Sequence, residues 1–220
     1  MKLSEFYKRV ITSLILVPTT IFLISFTYTS FIFFLLFILF LSLYEWFNFN
    51  KDKFSYITLV GSIFILLAFF SAYLLRENNN LLPTLLLWII SVSVFTDIGG
   101  YFVGKLIGGK KISKISPNKT YAGVYGSLIF SIMPIIILYL FDNKIAITQD
   151  YAFNFLYFYL SFFLSAVSQF GDFTVSYFKR LNNVKDTGKI LPGHGGILDR
   201  IDGLIFTLIA AGFLKYFGVI

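Results

Sequence analysis

Apolar residues run through this chain in stretches of about 20, the length that crosses bilayer hydrocarbon at 1.5 Å per residue. Seven such stretches are predicted as helical spans, at roughly 10–27, 30–47, 54–75, 83–105, 121–141, 151–178 and 198–219. The first two share one long apolar run, in which Tyr28, Thr29 and Ser30 supply the turn. A hydrophilic RENNN segment, Arg76 to Asn80, follows the third. The fourth changes character from a Leu/Ile/Trp-rich half to TDIGGYFVGKLIGG. There Gly100, Gly104 and Gly108 recur at a spacing that lets helix backbones approach closely. The sixth is long enough to tilt or to project past the bilayer. The pattern predicts an all-α, polytopic transmembrane helix bundle, a single integral domain over 1–220 with no internal repeat or soluble domain.

Composition narrows the chemistry. With 57% hydrophobic residues, no cysteine and one histidine, disulfides, thiolate metal sites, cysteine nucleophiles and multi-histidine zinc sites are excluded. The formal charge of +7 lies in short loops beside apolar spans, so it points to topology, anionic lipid and phosphate groups, with no nucleic acid. The basic N-terminus (Lys2, Lys8, Arg9) precedes an apolar run without a small-residue cleavage site and is predicted to be a retained first helix. Sorted by loop, fifteen lysines and arginines fall on one side and only Arg76, Lys144 and Lys215 on the other. That asymmetry predicts a cytoplasmic N-terminus and puts the loops at about 106–120 and 179–198 in the cytoplasm.

Against this background the run from Asp172 to Asp202 is a costly polar island. It holds four acids (Asp172, Asp186, Asp199, Asp202), five bases (Lys179, Arg180, Lys185, Lys189, Arg200), His194 and the glycines of a GHGG turn, Gly193, Gly195 and Gly196. Ser168, Asp172, Ser176 and Lys179 share one face of the sixth helix, and Asp199 and Asp202, three apart, share one face of the seventh. A structural role is open to each: Asp172 can pair with Lys179 or Lys105, and the seventh-helix acids can stabilise a positive helix end. Carboxylates converging on one cleft would instead be neutralised by a divalent cation, and oxygen-only ligands suit Mg²⁺. Asp172, Asp199 and Asp202 are the expected metal ligands and, with Lys179, the expected catalytic residues. Between the helices, glycine backbone N–H groups and lysines suit phosphate, and His194 suits acid–base chemistry or a loop hydrogen bond. The other cytoplasmic loop offers Ser116, Pro117, Asn118, Lys119 and Thr120 in a rigid turn. Asp97, beside Gly99 and Gly100 on the fourth helix, is a further intramembrane acid facing the same cleft.

These residues resemble the signature of phosphatidate cytidylyltransferases, the CDP-diacylglycerol synthases. The likeness runs through Ser176, Phe178, Lys179-Arg180, Lys185-Asp186, Gly188, Leu191-Pro192, His194-Gly195-Gly196, Ile197, Asp199-Arg200, Ile201 and Asp202. Upstream it takes in Thr96-Asp97 with Gly99 and Tyr101, Ser116-Pro117 with Lys119-Thr120, and Gly171-Asp172. Two positions depart from the pattern: Ala122 stands where the family usually has an acid, and Gly203 where a serine commonly follows the last aspartate.

The resemblance implies transfer of the cytidylyl group of CTP to phosphatidic acid, with Mg²⁺ as cofactor and a second, monovalent cation as a family feature. It implies substrate contacts by Asp97, Ser116, Lys119, Thr120, Ser176, Arg180, Lys185, Asp186, His194, Gly195, Gly196 and Arg200. The catalytic part would be about 83–220, the spans in about 1–80 being mainly structural. The expected location is the inner (plasma) membrane with the site facing the cytoplasm, and a homodimer is a candidate assembly. Two other readings compete: a CTP-dependent polyprenol or lipid kinase, and an ion-coupled transporter using Asp97, Asp172 and Asp199. Against transport, the acids cluster at one end and no halves repeat. The D-G-x2-A-R pattern of CDP-alcohol phosphatidyltransferases is absent.

Overall fold

A computed structural model describes residues 3–50, 55–76, 83–113, 116, 119–145, 155–193 and 195–220. Among them the regular elements are all helices: α1 (Leu3–Ser25), α2 (Tyr28–Phe49), α3 (Tyr56–Leu75), α4 (Thr84–Ile107), α5 (Tyr121–Phe130), α6 (Met133–Ile145), α7 (Phe155–Leu181) and α8 (Leu198–Tyr216). The expected all-α bundle is what forms. Four helical segments, Tyr28–Phe49, Tyr56–Leu75, Thr84–Ile107 and Tyr121–Leu138, are long and apolar enough to cross a membrane, with Val10–Ser25 a shorter apolar helix. Helices α7 and α8, which carry the charged residues of the polar run, fall outside that set.

The predicted fifth span is two helices. Pro134, second residue of α6, has no N–H to donate, and its ring crowds the carbonyl four residues back, that of Phe130 where α5 ends. The break at Ser131 and Ile132 is closed by Ser131 N–H on the Ser127 carbonyl (3.0 Å) and the Ser131 hydroxyl on the Leu128 carbonyl (2.6 Å). The turn between α1 and α2 falls at Phe26 and Thr27, and Tyr28, Thr29 and Ser30, expected to supply it, form the first turn of α2 instead. Thr27 and Ser30 make a capping box there, each side chain accepting from the other's backbone N–H. Arg76, expected in an exposed turn, is buried instead: its Nε–H donates to the Ile24 carbonyl at the end of α1 (3.0 Å), and its guanidinium lies over Tyr28 and Phe31.

Two seams fix the half of the bundle that carries the site. Helices α4 and α5 cross at glycines: a Cβ on Gly99 would stand 2.5 Å from the Gly126 carbonyl oxygen, and one on Gly123 would stand 2.8 Å from that of Gly100. Of the glycines expected to pack this way, Gly100 and Gly104 do, while Gly108 ends α4 at φ 66 in open space. The second seam is a chain of hydroxyls joining α4, α5 and α7. Ser93 meets Ser168 at 2.9 Å, Thr96 donates to Ser165 at 2.9 Å, and Ser127 donates to the Thr96 carbonyl at 2.8 Å. Lipid is as apolar as the side chains it touches, so close backbone contact and such bonds set which helices pair. Helix α8 packs against both α7 and α3, and α2 packs against α3.

Candidate active site

The end of α7 and the start of α8 meet at one end of the bundle, joined by the 182–197 loop. Lys179, in the last turn of α7, is buried, and its ammonium donates to Asp199 Oδ1 at 2.9 Å and lies 3.8 Å from Asp202 Oδ2. The expected common face of Asp199 and Asp202 is therefore real, and one lysine serves both. The other oxygen of Asp199 accepts the backbone N–H groups of Thr187 and Gly196, each at 2.9 Å. Asp199 thus closes the loop on itself while holding the cation. Asp202 is 7% exposed, and its Oδ1 accepts the Gly203 N–H at 2.9 Å. Burying charge is costly unless it is paired, and Lys179 and Asp199 pair here through a direct hydrogen bond.

Two turns up α7, Asp172 forms an ion pair with Lys119. The pairing expected for a structural role, with Lys179 or Lys105, does not occur: Lys179 is taken by α8, and Lys105 lies over the Tyr101 ring. Lys119 is presented by a tight hairpin. Its N–H donates to the Ser116 carbonyl (3.1 Å), its carbonyl accepts from Ile112 (3.0 Å), and Lys111 and Thr120 form an antiparallel bridge. Thr120 caps α5, its hydroxyl accepting the Gly123 N–H at 3.1 Å. Asp97 opens to the same space from α4, and the charges acting on it are those of Asp172, Lys119 and Arg200. Asp202 feels Asp172, Lys179 and Asp97. Helices α4, α7 and α8 and the Lys119 hairpin thus bring Asp97, Asp172, Asp202, Lys119 and Lys179 within electrostatic reach of one another.

The other expected residues divide. Ser176 is half-buried on α7, one turn from Asp172. Arg180, Lys185, Asp186 and Arg200 are exposed at the rim, and Arg180 donates to the Val184 carbonyl at 3.2 Å. Gly195 takes φ 84, and its carbonyl accepts from Leu191 N–H at 2.9 Å across a one-residue bridge. The Gly196 N–H, expected to face an anion, is spent on Asp199. His194, Pro117, Asn118 and Lys114 lie outside the described residues. Among the described residues no three His, Cys, Asp or Glu side chains gather closely enough to hold a metal ion by themselves. Uncommitted carboxylate oxygens nonetheless remain, since Asp172 meets Lys119 through Oδ2 alone and Asp202 Oδ2 stands beyond hydrogen-bonding reach of Lys179.

The structure also accounts for one departure from the family pattern. A Cβ on Gly203 would stand 2.6 Å from the Ser168 hydroxyl and 2.9 Å from the Ser168 carbonyl oxygen, so α7 and α8 are too close here for serine. Ala122 sits half-buried in the first turn of α5, beside the Thr120 cap.

Two features were not read from the sequence. On the flank of Lys119 and α7 lies an open groove of about 280 Å³, lined by Ser113, Ser116, Lys119, Val124, Phe170 and Phe173 among others. It joins residues from separate elements and leaves no local pattern. The other is Glu45 on α2, which is 2% exposed and reaches the site loop. Its signal was present, because an acid inside an apolar span is a functional candidate by default.

Residues 54–217 match the model of the cytidylyltransferase family. The chain is 36% identical over 211 residues to the phosphatidate cytidylyltransferase of Rickettsia bellii, covering 93% of this chain and 88% of that protein. It is 34% identical over 224 residues to the enzyme of that name from Rickettsia conorii, covering 97% and 93% of the two chains. With the Staphylococcus haemolyticus phosphatidate cytidylyltransferase it shares 38% identity over 168 residues, 72% of this chain and 60% of that one.

Proposed function

This chain belongs to the cytidylyltransferase family, and on that premise we propose that it transfers the cytidylyl group of CTP to phosphatidic acid, giving CDP-diacylglycerol and pyrophosphate. The observation that carries this reading is the pairing of Lys119 with Asp172 and of Lys179 with Asp199 and Asp202 along α7, with an apolar groove lined by Lys119 beside them. An anionic, water-soluble nucleotide and a lipid phosphate can meet there.

In the reaction an oxygen of the lipid phosphate attacks the α-phosphorus of CTP. The bond from that phosphorus to the bridging oxygen breaks, and pyrophosphate leaves with the electron pair. The nucleophile is anionic at neutral pH, so the residues have to position and neutralise phosphates more than to move a proton. Lys119, which lines the groove, is assigned to the lipid phosphate, with the acyl portion against Val124, Phe170 and Phe173. Lys179 and the rim cations Arg180, Lys185 and Arg200 are assigned to the nucleotide phosphates. Release of Lys179 toward a phosphate would free Oδ1 of Asp199, the oxygen it holds by a hydrogen bond.

The donor set fits Mg²⁺, which is commonly held by one or two carboxylates and completed by water and substrate phosphates. Asp172 and Asp202 carry the open oxygens, and Asp199 would join when Lys179 moves. Bound there, the cation would offset charge on the phosphates and on the leaving group. The site is assigned to the cytoplasmic face of the inner membrane. In support, the 182–197 loop and the end of α2 meet where Asn182 donates to Asn50 at 3.2 Å, and the hairpin before Thr120 reaches the same half of α7 through Lys119 and Asp172.

The test is direct. Purified protein in detergent with Mg²⁺, labelled CTP and phosphatidate should yield CDP-diacylglycerol and pyrophosphate in equal amounts, and EDTA should stop the reaction until Mg²⁺ is restored. Absence of both products under these conditions overturns the reading.

A further inference from the structure

Glu45 lies in the apolar run of α2, outside residues 54–217 that match the family. Its carboxylate leaves its own helix and enters the site loop. Oε2 accepts the backbone N–H of Leu198, the first residue of α8, at 2.8 Å, and the Thr187 hydroxyl at 3.3 Å. Helix α8 has no side-chain cap of its own, Ile197 occupying the cap position. A carboxylate at a helix N-terminus satisfies an otherwise unpaired N–H and meets the positive end of the dipole. The fit leaves no slack: a Cβ on Gly188 would stand 2.3 Å from Glu45 Oε1, and one on Gly196 would stand 2.5 Å from Oε2. Gly196 and Thr187 are the residues whose N–H groups hold Asp199. The neighbouring Trp46 meets Phe178 of α7 edge to face, and Asn50 accepts from Asn182, so this end of α2 also braces the helix that carries Lys179.

We propose that Glu45 is a positioning residue: from α2 it caps α8 and clamps the loop at Thr187, Gly188 and Gly196, holding Asp199 and Asp202 against Lys179. The glycines of the loop are then small because Glu45 occupies the space beside them. The geometric claim stands on its own, and its kinetic arm rests on the cytidylyl-transfer reading.

The test uses full-length protein in detergent with Glu45→Ala, Glu45→Gln and Glu45→Asp. Ser42→Ala serves as control, being buried on α2 with its hydroxyl returned to the Ile38 carbonyl. Two quantities are read: amide hydrogen exchange over 185–200, and KM for CTP beside kcat. Glu45→Ala should speed exchange in that segment about tenfold or more relative to the rest of the chain. It should also raise KM for CTP about fivefold or more. Glu45→Gln keeps an acceptor oxygen at the same reach and should stay closer to the native protein on both counts, and Ser42→Ala should match it. Native exchange and native KM in Glu45→Ala overturn the proposal. So does a fall in kcat alone, which reports only a smaller folded fraction, and so does a Gln variant no better than Ala. Should Glu45→Ala not fold, Glu45→Asp decides: withdrawn by one methylene, it should speed exchange at 185–200, and native exchange there overturns the proposal. If the unsubstituted protein makes no CDP-diacylglycerol, the reaction reading fails and the exchange data alone judge Glu45.

Discussion

Lys179 sets the behaviour of the site residue by residue. It is the shared partner of two buried carboxylates, so its loss leaves Asp199 and Asp202 facing each other without a cation. Removing one partner of a buried ion pair typically costs about 3–5 kcal/mol. Lys179→Ala should therefore lower thermal stability in detergent as well as abolish product formation, and a stable, active variant would refute the pairing. Asp172 is different, because its side chain is about a quarter exposed and its partner Lys119 sits in a surface hairpin. Asp172→Asn should leave the melting temperature nearly unchanged while lowering kcat about a hundredfold or more, the scale seen when one group aimed at developing charge is removed. Full activity in that variant would remove Asp172 from the machinery.

At the scale of elements, the position of the site follows from which helices can touch. Helices α4 and α5 come close enough that backbone meets backbone at Gly99, Gly100, Gly123 and Gly126, and α5 begins at the Lys119 hairpin. A Cβ on Gly126 would stand 2.4 Å from Val103 Cβ and 2.7 Å from the Gly99 carbonyl oxygen. Gly126→Val should therefore push α5 outward, cost about 1–3 kcal/mol by overpacking, and reduce activity through the displaced Lys119. The measurements are the melting temperature and kcat, and native values for both would show that the crossing has room. The helices themselves were legible in the sequence because apolar length is a strong signal. The break between α5 and α6 was not, although Pro134 marks it, because an unbroken apolar run hides a turn whose Ser131 and Ile132 donors are satisfied by the carbonyls of Ser127, Leu128 and Ile129.

For the whole molecule, charge along the chain and contacts in space agree. Among the described residues, the basic 182–197 loop lies at the end where α2, α7 and α8 meet, and Thr12 of α1 donates to the Pro192 carbonyl there at 3.1 Å. Arg76, on the basic-poor side, ties the far end of α1 to the end of α3. Reporter fusions in the loops near Ser113 and Lys189 should therefore read as cytoplasmic, and an external reading for either would invert the layout. The candidate site was legible to the extent that it is written in charged residues inside apolar runs, as at Asp97, Asp172, Asp199 and Asp202. What escaped was the division of labour: Asp199 spends its oxygens closing a loop, Thr120 caps a helix, and Glu45 arrives from a helix some 150 positions away from the group it holds. Residue type shows that a carboxylate must be satisfied, but only the assembled bundle shows by what.

The groove beside Lys119 carries one more consequence. It opens on the flank of α5 and α7, with Phe170 largely exposed, so a lipid bound there, as proposed above, would arrive by diffusion within a plane while the nucleotide arrives from a volume. The two substrates are then counted in different units, one per area of membrane and one per litre. Diluting phosphatidate with an inert lipid at fixed total amount should slow the reaction as its mole fraction falls, whereas adding more vesicles of the same composition should leave the rate per enzyme unchanged. A rate that followed the bulk amount of phosphatidate instead would show that the lipid reaches Lys119 through water.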